Sequence, residues 1–370
     1  MSLHILLTVN SAWNILNFRR PIVVALLAQG YRVTVLAPPD DAVPKLQELG
    51  IKVIPLIMDT KGLNPIRDTA FMLRLYRHFR AERPDVILSW TIKNNIFGAF
   101  AARMARVPFV PNVSGLGTAF LSGGTLQRVA EFLYRRAFSQ LDTVFFQNNE
   151  DATLFTKRKL VYENQVYGLP GSGIDLSRFT LTPLPEGPPS FLMIARLLRD
   201  KGVLEYVNAA RDIRARYPDA SFRLLGAAGV QNRSAISALE VAEWQAEGII
   251  DYLGTTEDVR PHIAQAQCVV LPSYREGAPR TLIEGAAIGR PAIATNVPGC
   301  RDVVEDEHTG LLCAPRNAAA LAAQCARFIS MSHAERVAMG QAARSRMEAV
   351  YDDAIVVRAY MEVIKRQFSL

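Results

Sequence analysis

Cysteine is scarce, and long apolar runs are missing. The four cysteines in 370 residues, Cys268, Cys300, Cys313 and Cys325, show no CxxC or Cys/His spacing. That excludes a zinc ribbon and a disulfide framework, and they read as reduced, packed thiols of a cytosolic protein. No run of about 18 apolar residues is present, so no bilayer-crossing helix is expected. The start, Met1-Ser-Leu-His-Ile-Leu-Leu-Thr-Val9, lacks a basic region and soon turns polar, so no signal peptide is expected. After this first apolar run the chain reads Thr8-Val-Asn-Ser-Ala-Trp-Asn14. It contains no GxGxxG and no Walker motif, which leaves dinucleotide redox chemistry and P-loop chemistry without a signature.

What is there is a globular composition: 49% hydrophobic and 21% charged residues. Such a chain can bury enough apolar surface to offset its ordering entropy, unlike a disordered one. The length suits two or three domains. The net charge of +7 is unevenly spread. Residues 1–175 hold 20 Lys and Arg against 13 Asp and Glu, while residues 176–370 hold 22 of each. The basic half suits an anionic partner, whether nucleic acid, a phosphorylated substrate or a membrane surface, or simply a solubilising exterior.

Short apolar runs alternate with amphipathic segments through the first half. Strands are expected at 4–9, 32–37, 51–56, 86–89, 109–113, 143–146 and 165–167, and helices at 19–29, 43–49, 66–82 and 96–105. This is the pattern of a parallel sheet covered on both faces. The proline-rich stretch Leu181–Pro189 reads as a linker, and the pattern then restarts. Strands are expected at 191–195, 222–225, 249–253, 268–271 and 291–294, and helices at 203–217, 236–247, 259–266 and 282–288. The expected fold is therefore α/β, with two facing Rossmann-like doubly wound domains at 1–175 and 176–352. A last helix, 353–370, is expected to cross back to the first. Ligands of such sheets bind outside the carboxyl ends of the strands, so a cleft between the domains is the expected site.

Ser273-Tyr-Arg-Glu-Gly-Ala-Pro-Arg-Thr-Leu-Ile-Glu-Gly285 follows one of these strands and leads into a helix at about Thr281. A helix start suits a phosphate, and the Thr281 hydroxyl can add a contact. Glu276 and Glu284 suit sugar hydroxyls. Two glutamates eight positions apart are, by themselves, equally at home on a solvated surface. Upstream, Arg196-Leu-Leu-Arg-Asp-Lys201-Gly202 would put two cations at a strand's carboxyl end, where they can hold a diphosphate. Cations, a helix start and two carboxylates together describe a binder of nucleotide-diphosphate sugars.

Glu276 and Glu284, Arg196 with Lys201-Gly202, and Gly171-Ser-Gly-Ile-Asp175 together resemble the retaining family-4 glycosyltransferases of the GT-B fold, over essentially the whole chain. Trp90-Thr-Ile-Lys-Asn-Asn-Ile-Phe-Gly98, Asn112-Val-Ser-Gly-Leu-Gly-Thr-Ala-Phe120, Arg275–Arg280 and Pro298-Gly-Cys-Arg-Asp302 resemble one bacterial subgroup. Its members move N-acetylhexosamines onto undecaprenyl-diphosphate-linked sugars, the α-1,3-N-acetylgalactosaminyltransferase of N-glycan assembly among them. The resemblance implies that Arg196 and Lys201 bind the donor diphosphate and Glu284 the ribose. It implies that Glu276 and the Gly277-Ala278-Pro279 backbone bind the donor sugar, beside Thr281 and Leu282. Glu276, Arg196 and Lys201 are the implied catalytic groups, and Lys93, Asn94, Ser114 and Gly115 the implied acceptor contacts. Many relatives carry a histidine where this chain reads Asn112-Val-Ser114-Gly115, and Glu-Gly-Phe-Gly where it reads Glu-Gly-Ala-Pro-Arg. No DxD is placed for a metal, since Asp352-Asp353 lies in the tail. A UDP-sugar donor, no cofactor and no catalytic metal are expected.

The segment Phe71–Arg80 has Phe71, Met72, Leu75 and Phe79 on one helical stripe. Arg74, Arg77 and Arg80 lie opposite, with Leu73 and Tyr76 nearby. That face suits either water or an anionic membrane, and a further segment, 126–138, has a similar basic ending with Tyr134-Arg-Arg136. The glycine-rich segment Gly115–Gly124 reads as a mobile loop admitting a lipid diphosphate or as a packed turn. The implied location is the cytoplasmic face of the inner membrane, peripherally bound. Two other readings stand beside this one: a UDP-sugar 2-epimerase, which shares the two-domain fold, and a non-catalytic sugar-nucleotide-binding protein. No nucleic-acid-binding module is recognisable.

Overall fold

The computed structural model describes residues 2–59, 64–115, 124–230, 232 and 234–368. The chain divides into two compact units, Met1–Gly173 with Asp353–Leu370 and Ile174–Asp352.

The first unit is built on seven parallel strands: β1 (His4–Thr8), β2 (Arg32–Ala37), β3 (Lys52–Pro55), β4 (Val86–Trp90), β5 (Phe109–Val113), β6 (Val144–Phe146) and β7 (Val166–Gly168). Their order is β3-β2-β1-β4-β5-β6-β7. Side chains alternate across a strand, so each central strand supplies two cores. Ile5, Leu7, Val33, Val35 and Leu88 face one side. Leu6, Leu36 and Ile87 face the other, where Phe71, Leu75 and Phe79 of helix Pro65–Glu82 pack. That helix starts with Asn64, whose side chain accepts from the Ile66 and Arg67 N–H groups, and with Pro65 in its first turn, where a missing N–H costs nothing.

The tail helix Asp353–Gln367 belongs to this unit. Val356, Tyr360, Val363 and Ile364 enter the core that holds Ile5 and Trp90. The Tyr360 hydroxyl accepts from Trp90 Nε1 at 3.1 Å and from Asn112 Nδ2 at 2.8 Å. The helix expected over 19–29 is Arg20–Ala28, and a separate helix that the sequence pattern does not give, Ala12–Phe18, precedes it. Ser11 caps Ala12–Phe18 by accepting from Asn14 N–H, and Arg19, at φ −128°, breaks the run before Pro21 opens Arg20–Ala28. Helix Ile92–Ala105 starts four residues earlier than expected, because the turn is made at Thr91 with φ 74°.

The second unit has six parallel strands: β8 (Ser190–Ile194), β9 (Ser221–Leu225), β10 (Asp251–Tyr252), β11 (Cys268–Leu271), β12 (Ala292–Thr295) and β13 (Gly310–Cys313). Their order is β10-β9-β8-β11-β12-β13. Strand β13 and helices Ala318–Ser330 and His333–Arg346 lie outside the elements that the sequence pattern resolves.

Leu181–Pro189 is not a linker. It is strapped into the second unit by Arg290, which is fully buried. Arg290 donates to Thr182 O at 2.8 Å, Thr182 Oγ1 at 2.7 Å, Pro183 O at 2.9 Å and Ala264 O at 2.7 Å. Proline-rich backbone has carbonyls but few N–H groups, so its carbonyls need donors from elsewhere. Burial lowers the Arg290 pKa to about 10.

Candidate active site

Each sheet reverses its strand order once. In the second unit the reversal falls between β8 and β11, and a parallel sheet opens a crevice at the carboxyl ends of the two strands that flank such a point. The segments leaving these two strands are the two singled out by sequence, Arg196–Gly202 and Ser273–Glu284.

The loops touch closely. Gly202 adopts φ 77°, and a Cβ there would lie 2.1 Å from the Pro272 carbonyl oxygen. Only glycine fits that approach. Tyr274 N–H donates to Asp200 O at 2.9 Å, and the Tyr274 hydroxyl donates to Glu205 Oε1 at 2.7 Å. Burial, and then the Glu205 carboxylate, push the Tyr274 hydroxyl up to about 12. The Arg316 guanidinium lies 4.6 Å from the centroid of the same ring.

These contacts bring Lys201 to Glu276, with Nζ 2.5 Å from Oε1. Their side chains are 21% and 12% exposed, so the pair is reachable but largely screened from water. Glu276 N–H donates to Pro298 O. Gly299, at φ 77°, sits so close beneath that a Cβ would lie 2.5 Å from Gly277 O and 2.7 Å from Glu276 O. The backbone of Glu276–Gly277 is thus held from below by a position that admits no side chain. Arg196 is exposed at the head of its loop.

Helix Arg280–Ala287 begins at Arg280, after Pro279, rather than at about Thr281. Leu282 is fully buried, Pro279 is buried, and Gly277 and Ala278 are half-buried. The Thr281 hydroxyl donates to Ile194 O at 2.9 Å. Its proton therefore fixes the helix to the end of β8, and its oxygen is left to accept. Glu284 is 12% exposed and pairs with Arg280 Nε at 2.8 Å. Burial raises its pKa, while Arg280 and Arg178 oppose the rise. Arg280, Tyr274 and Glu205 are absent from the sequence-derived candidates. The i,i+4 spacing of Arg280 and Glu284 is a usable signal, whereas Tyr274 and Glu205 are 69 positions apart.

The acceptor candidates lie in the first unit, at the carboxyl edge of its sheet. Lys93 Nζ pairs with Asp68 at 2.8 Å, with side chains 13% and 7% exposed. Asn94 is fully buried. Its Nδ2 donates to Thr8 Oγ1 at 2.8 Å, and its Oδ1 accepts from Thr91 Oγ1 at 2.9 Å. Asn94 therefore corrects the expectation: both ends of its amide are used inside the unit, tying the end of β1 to the start of helix Ile92–Ala105. Ser114 and Gly115 are half-buried just beyond β5. Residues 116–123 of the glycine-rich segment, including those of the motif ending at Phe120, lie outside the described residues.

Along helix Pro65–Glu82, Arg77 and Arg80 are exposed and Arg74 is half-buried. Leu73 is 40% exposed. Among the described residues no helix is long and apolar enough to cross a membrane, and no group of three or more metal-ligating side chains occurs. The four cysteines are buried and unbridged.

Comparison with known proteins agrees with this geometry. Residues 18–171 match the family model of the glycosyl transferase 4-like domain, and residues 179–346 that of the glycosyl transferases group 1. A Campylobacter jejuni N,N'-diacetylbacillosaminyl-diphospho-undecaprenol alpha-1,3-N-acetylgalactosaminyltransferase is 28% identical, over 95% of this chain and 96% of the relative. An Escherichia coli UDP-Gal:alpha-D-GlcNAc-diphosphoundecaprenol alpha-1,3-galactosyltransferase is 26% identical over 68% of each chain. The fold matches that of Anabaena HepE, crystallised with UDP-glucose, with a TM-score of 0.81 at 18% identity over 98% of this chain and 100% of that one. A glycosyltransferase from Rickettsia africae gives 0.78 at 18% identity, over 99% of both chains. With both units matched in order by glycosyltransferase models, and with the two-Rossmann plan of the GT-B fold, the chain belongs to the family-4 glycosyltransferases.

Proposed function

We propose that the chain transfers a sugar, an N-acetylhexosamine from a UDP-sugar, onto a saccharide carried on a polyprenyl diphosphate, with retention at the anomeric carbon and without a metal. The product class would be a bacterial surface polysaccharide or glycan, assembled at the cytoplasmic face of the inner membrane. The acceptor class is supported by the names of the two relatives above, both of which act on diphosphoundecaprenol-linked sugars.

The observation that carries the donor assignment is the contact of Lys201 with Glu276 at the switch point of the second sheet. A nucleotide sugar has a phosphate and a pyranose joined by one oxygen. A cation and a carboxylate 2.5 Å apart match that junction, with Lys201 on the phosphate and Glu276 on the sugar hydroxyls. Arg196 supplies a second charge to the diphosphate. Glu284, deeper and paired with Arg280, takes the ribose hydroxyls. Thr281 offers its hydroxyl oxygen, Leu282 packs the helix start, and the Gly277-Ala278-Pro279 backbone lines the sugar.

As the anomeric carbon–oxygen bond to the diphosphate breaks, negative charge grows on the phosphate that Lys201 and Arg196 face. Fixed cations stabilise that charge more in the transition state than in the ground state. The acceptor hydroxyl forms the new bond on the face the diphosphate leaves, and its proton passes to a phosphate oxygen of the leaving group.

The test is incubation with a panel of nucleotide sugars and a polyprenyl-diphosphate-sugar, with the product identified by mass and its anomeric configuration by NMR. A transfer product with retained configuration, formed in excess chelator, is expected. Conversion of the UDP-sugar without acceptor would establish the epimerase instead, and binding without turnover a sensor.

A further inference from the structure

The first sheet also has one switch point, between β1 and β4. The loop after β4 carries Lys93. The loop after β1 carries Asn10 and Ser11 and leads into helix Ala12–Phe18 with Trp13 in its first turn, and the function described above uses none of them. Asn94 joins the two loops through Thr8.

Trp13 is 54% exposed, whereas the other two tryptophans, Trp90 and Trp244, are 0% and 6% exposed. A side chain that proteins bury on average is here presented at the sheet's carboxyl edge. It is also held still. Its backbone N–H donates to Asp40 Oδ2 at 2.9 Å, and its carbonyl accepts from Asn17 Nδ2 at 3.0 Å. Phe18 packs edge-on against its ring at 5.2 Å between centroids and 90° between planes. Beside that contact the Trp13 ring remains half in solvent. The next residue, Asn14, has a buried Oδ1 without a hydrogen-bond partner. A fixed, half-exposed aromatic ring matches the apolar C–H face of a pyranose.

We propose that Trp13 is the stacking platform for the acceptor saccharide, so that the first unit recognises a sugar ring at its switch point. The inference rests on the lipid-linked acceptor proposed above and deepens it, because it assigns recognition to the sugar and not to the lipid alone. An exposed tryptophan also suits a membrane interface, and the experiment separates the two.

The probe is an N-acetylglucosaminyl diphosphate bearing a short two-isoprene chain, soluble without detergent. Its affinity is measured by calorimetry for wild type, Trp13→Ala and Trp13→Phe, with UDP affinity as the check that each variant is folded. The expected result is a loss of at least tenfold for Trp13→Ala, about 1.4 kcal/mol. Recovery to within about threefold is expected for Trp13→Phe, with UDP affinity unchanged throughout. Tryptophan emission of the wild type should shift with the probe and not with sugar-free phosphatidylethanolamine–phosphatidylglycerol vesicles. Undiminished probe affinity in Trp13→Ala overturns the stacking platform alone. An emission shift with vesicles and none with the probe also overturns it, and assigns the ring to the bilayer. No probe binding by a wild type that binds UDP overturns the lipid-linked acceptor itself, and the platform with it.

Discussion

Lys201 Nζ and Glu276 Oε1 lie 2.5 Å apart although 75 positions separate them in the chain. Lys201 follows β8 and Glu276 follows β11, neighbouring strands whose loops meet because Gly202 leaves no side chain between them and Pro272. The pair makes Lys201→Ala and Glu276→Ala unequal. Lys201→Ala should lower turnover by about 10²–10³, the loss typical of one preorganised donor to developing charge. It also leaves a largely buried carboxylate unpaired, which costs about 1–3 kcal/mol of stability. Glu276→Ala should cripple transfer yet leave binding of free UDP intact. Turnover, denaturant unfolding and UDP calorimetry on the two variants check this. Equal loss of UDP affinity in both would contradict the division of roles.

Glu284 should behave differently. Burial raises its pKa above the ordinary carboxylate value, and a ribose hydroxyl is best accepted by the ionised form. UDP affinity should therefore weaken on acidification at a higher pH than an exposed glutamate would give. Glu284→Gln should bind UDP more weakly at neutral pH and lose that dependence. Calorimetry from pH 7 downward tests it, and parallel pH profiles for the two proteins would remove Glu284 from the ribose.

Tyr274 ties both loops together through its N–H to Asp200 and its hydroxyl to Glu205. Tyr274→Phe keeps the ring under Arg316 and removes only the hydroxyl. A stability loss of about 1 kcal/mol is expected, with a fall in kcat and little change in donor KM, because Lys201 and Glu276 lose alignment rather than charge. A rise in donor KM at constant kcat would mean that Tyr274 meets the donor directly.

Much of this architecture is legible in the chain. β11 and the tail helix Asp353–Gln367 fall where the sequence pattern places them, because each has a clear apolar period and sharp flanks. Helix Ala12–Phe18 is not legible, since it is only seven residues long and depends on the Ser11 cap. Helix Ala318–Ser330 is rich in alanine, and only Leu321 and Phe328 mark its buried face with large side chains, beside Ala322 and Cys325. The proline content of Leu181–Pro189 points to a linker, and only the buried Arg290, more than a hundred positions on, shows why it is packed. In the site, the strand–loop context exposes Lys201, Glu276 and Glu284. The Arg280–Glu284 pair follows only once the helix start is placed at Arg280, and the Tyr274–Glu205 bond is a product of tertiary packing.

The basic face of helix Pro65–Glu82 predicts reversible membrane attachment. Its apolar side, Phe71, Leu75 and Phe79, is spent on the core, so the membrane-facing candidates are Arg77 and Arg80, which are exposed, and the half-buried Arg74, with Leu73 between them. A basic residue near an anionic bilayer contributes about 1 kcal/mol, so three give a few kcal/mol, enough for binding that salt reverses. Leu73 adds a modest apolar contact from the same face. Wild type should co-sediment with phosphatidylglycerol-containing liposomes at low salt and release as salt rises, without detergent. The variant with Arg74, Arg77 and Arg80 all changed to Glu should bind markedly less, while its UDP affinity stays unchanged because the donor candidates lie in the other unit. Identical sedimentation of the two proteins at low salt would take this helix out of the membrane contact. Absence of binding by either would leave the excess positive charge of residues 1–175 to the diphosphate of the acceptor, a difference that titration of the wild type with inorganic pyrophosphate then measures.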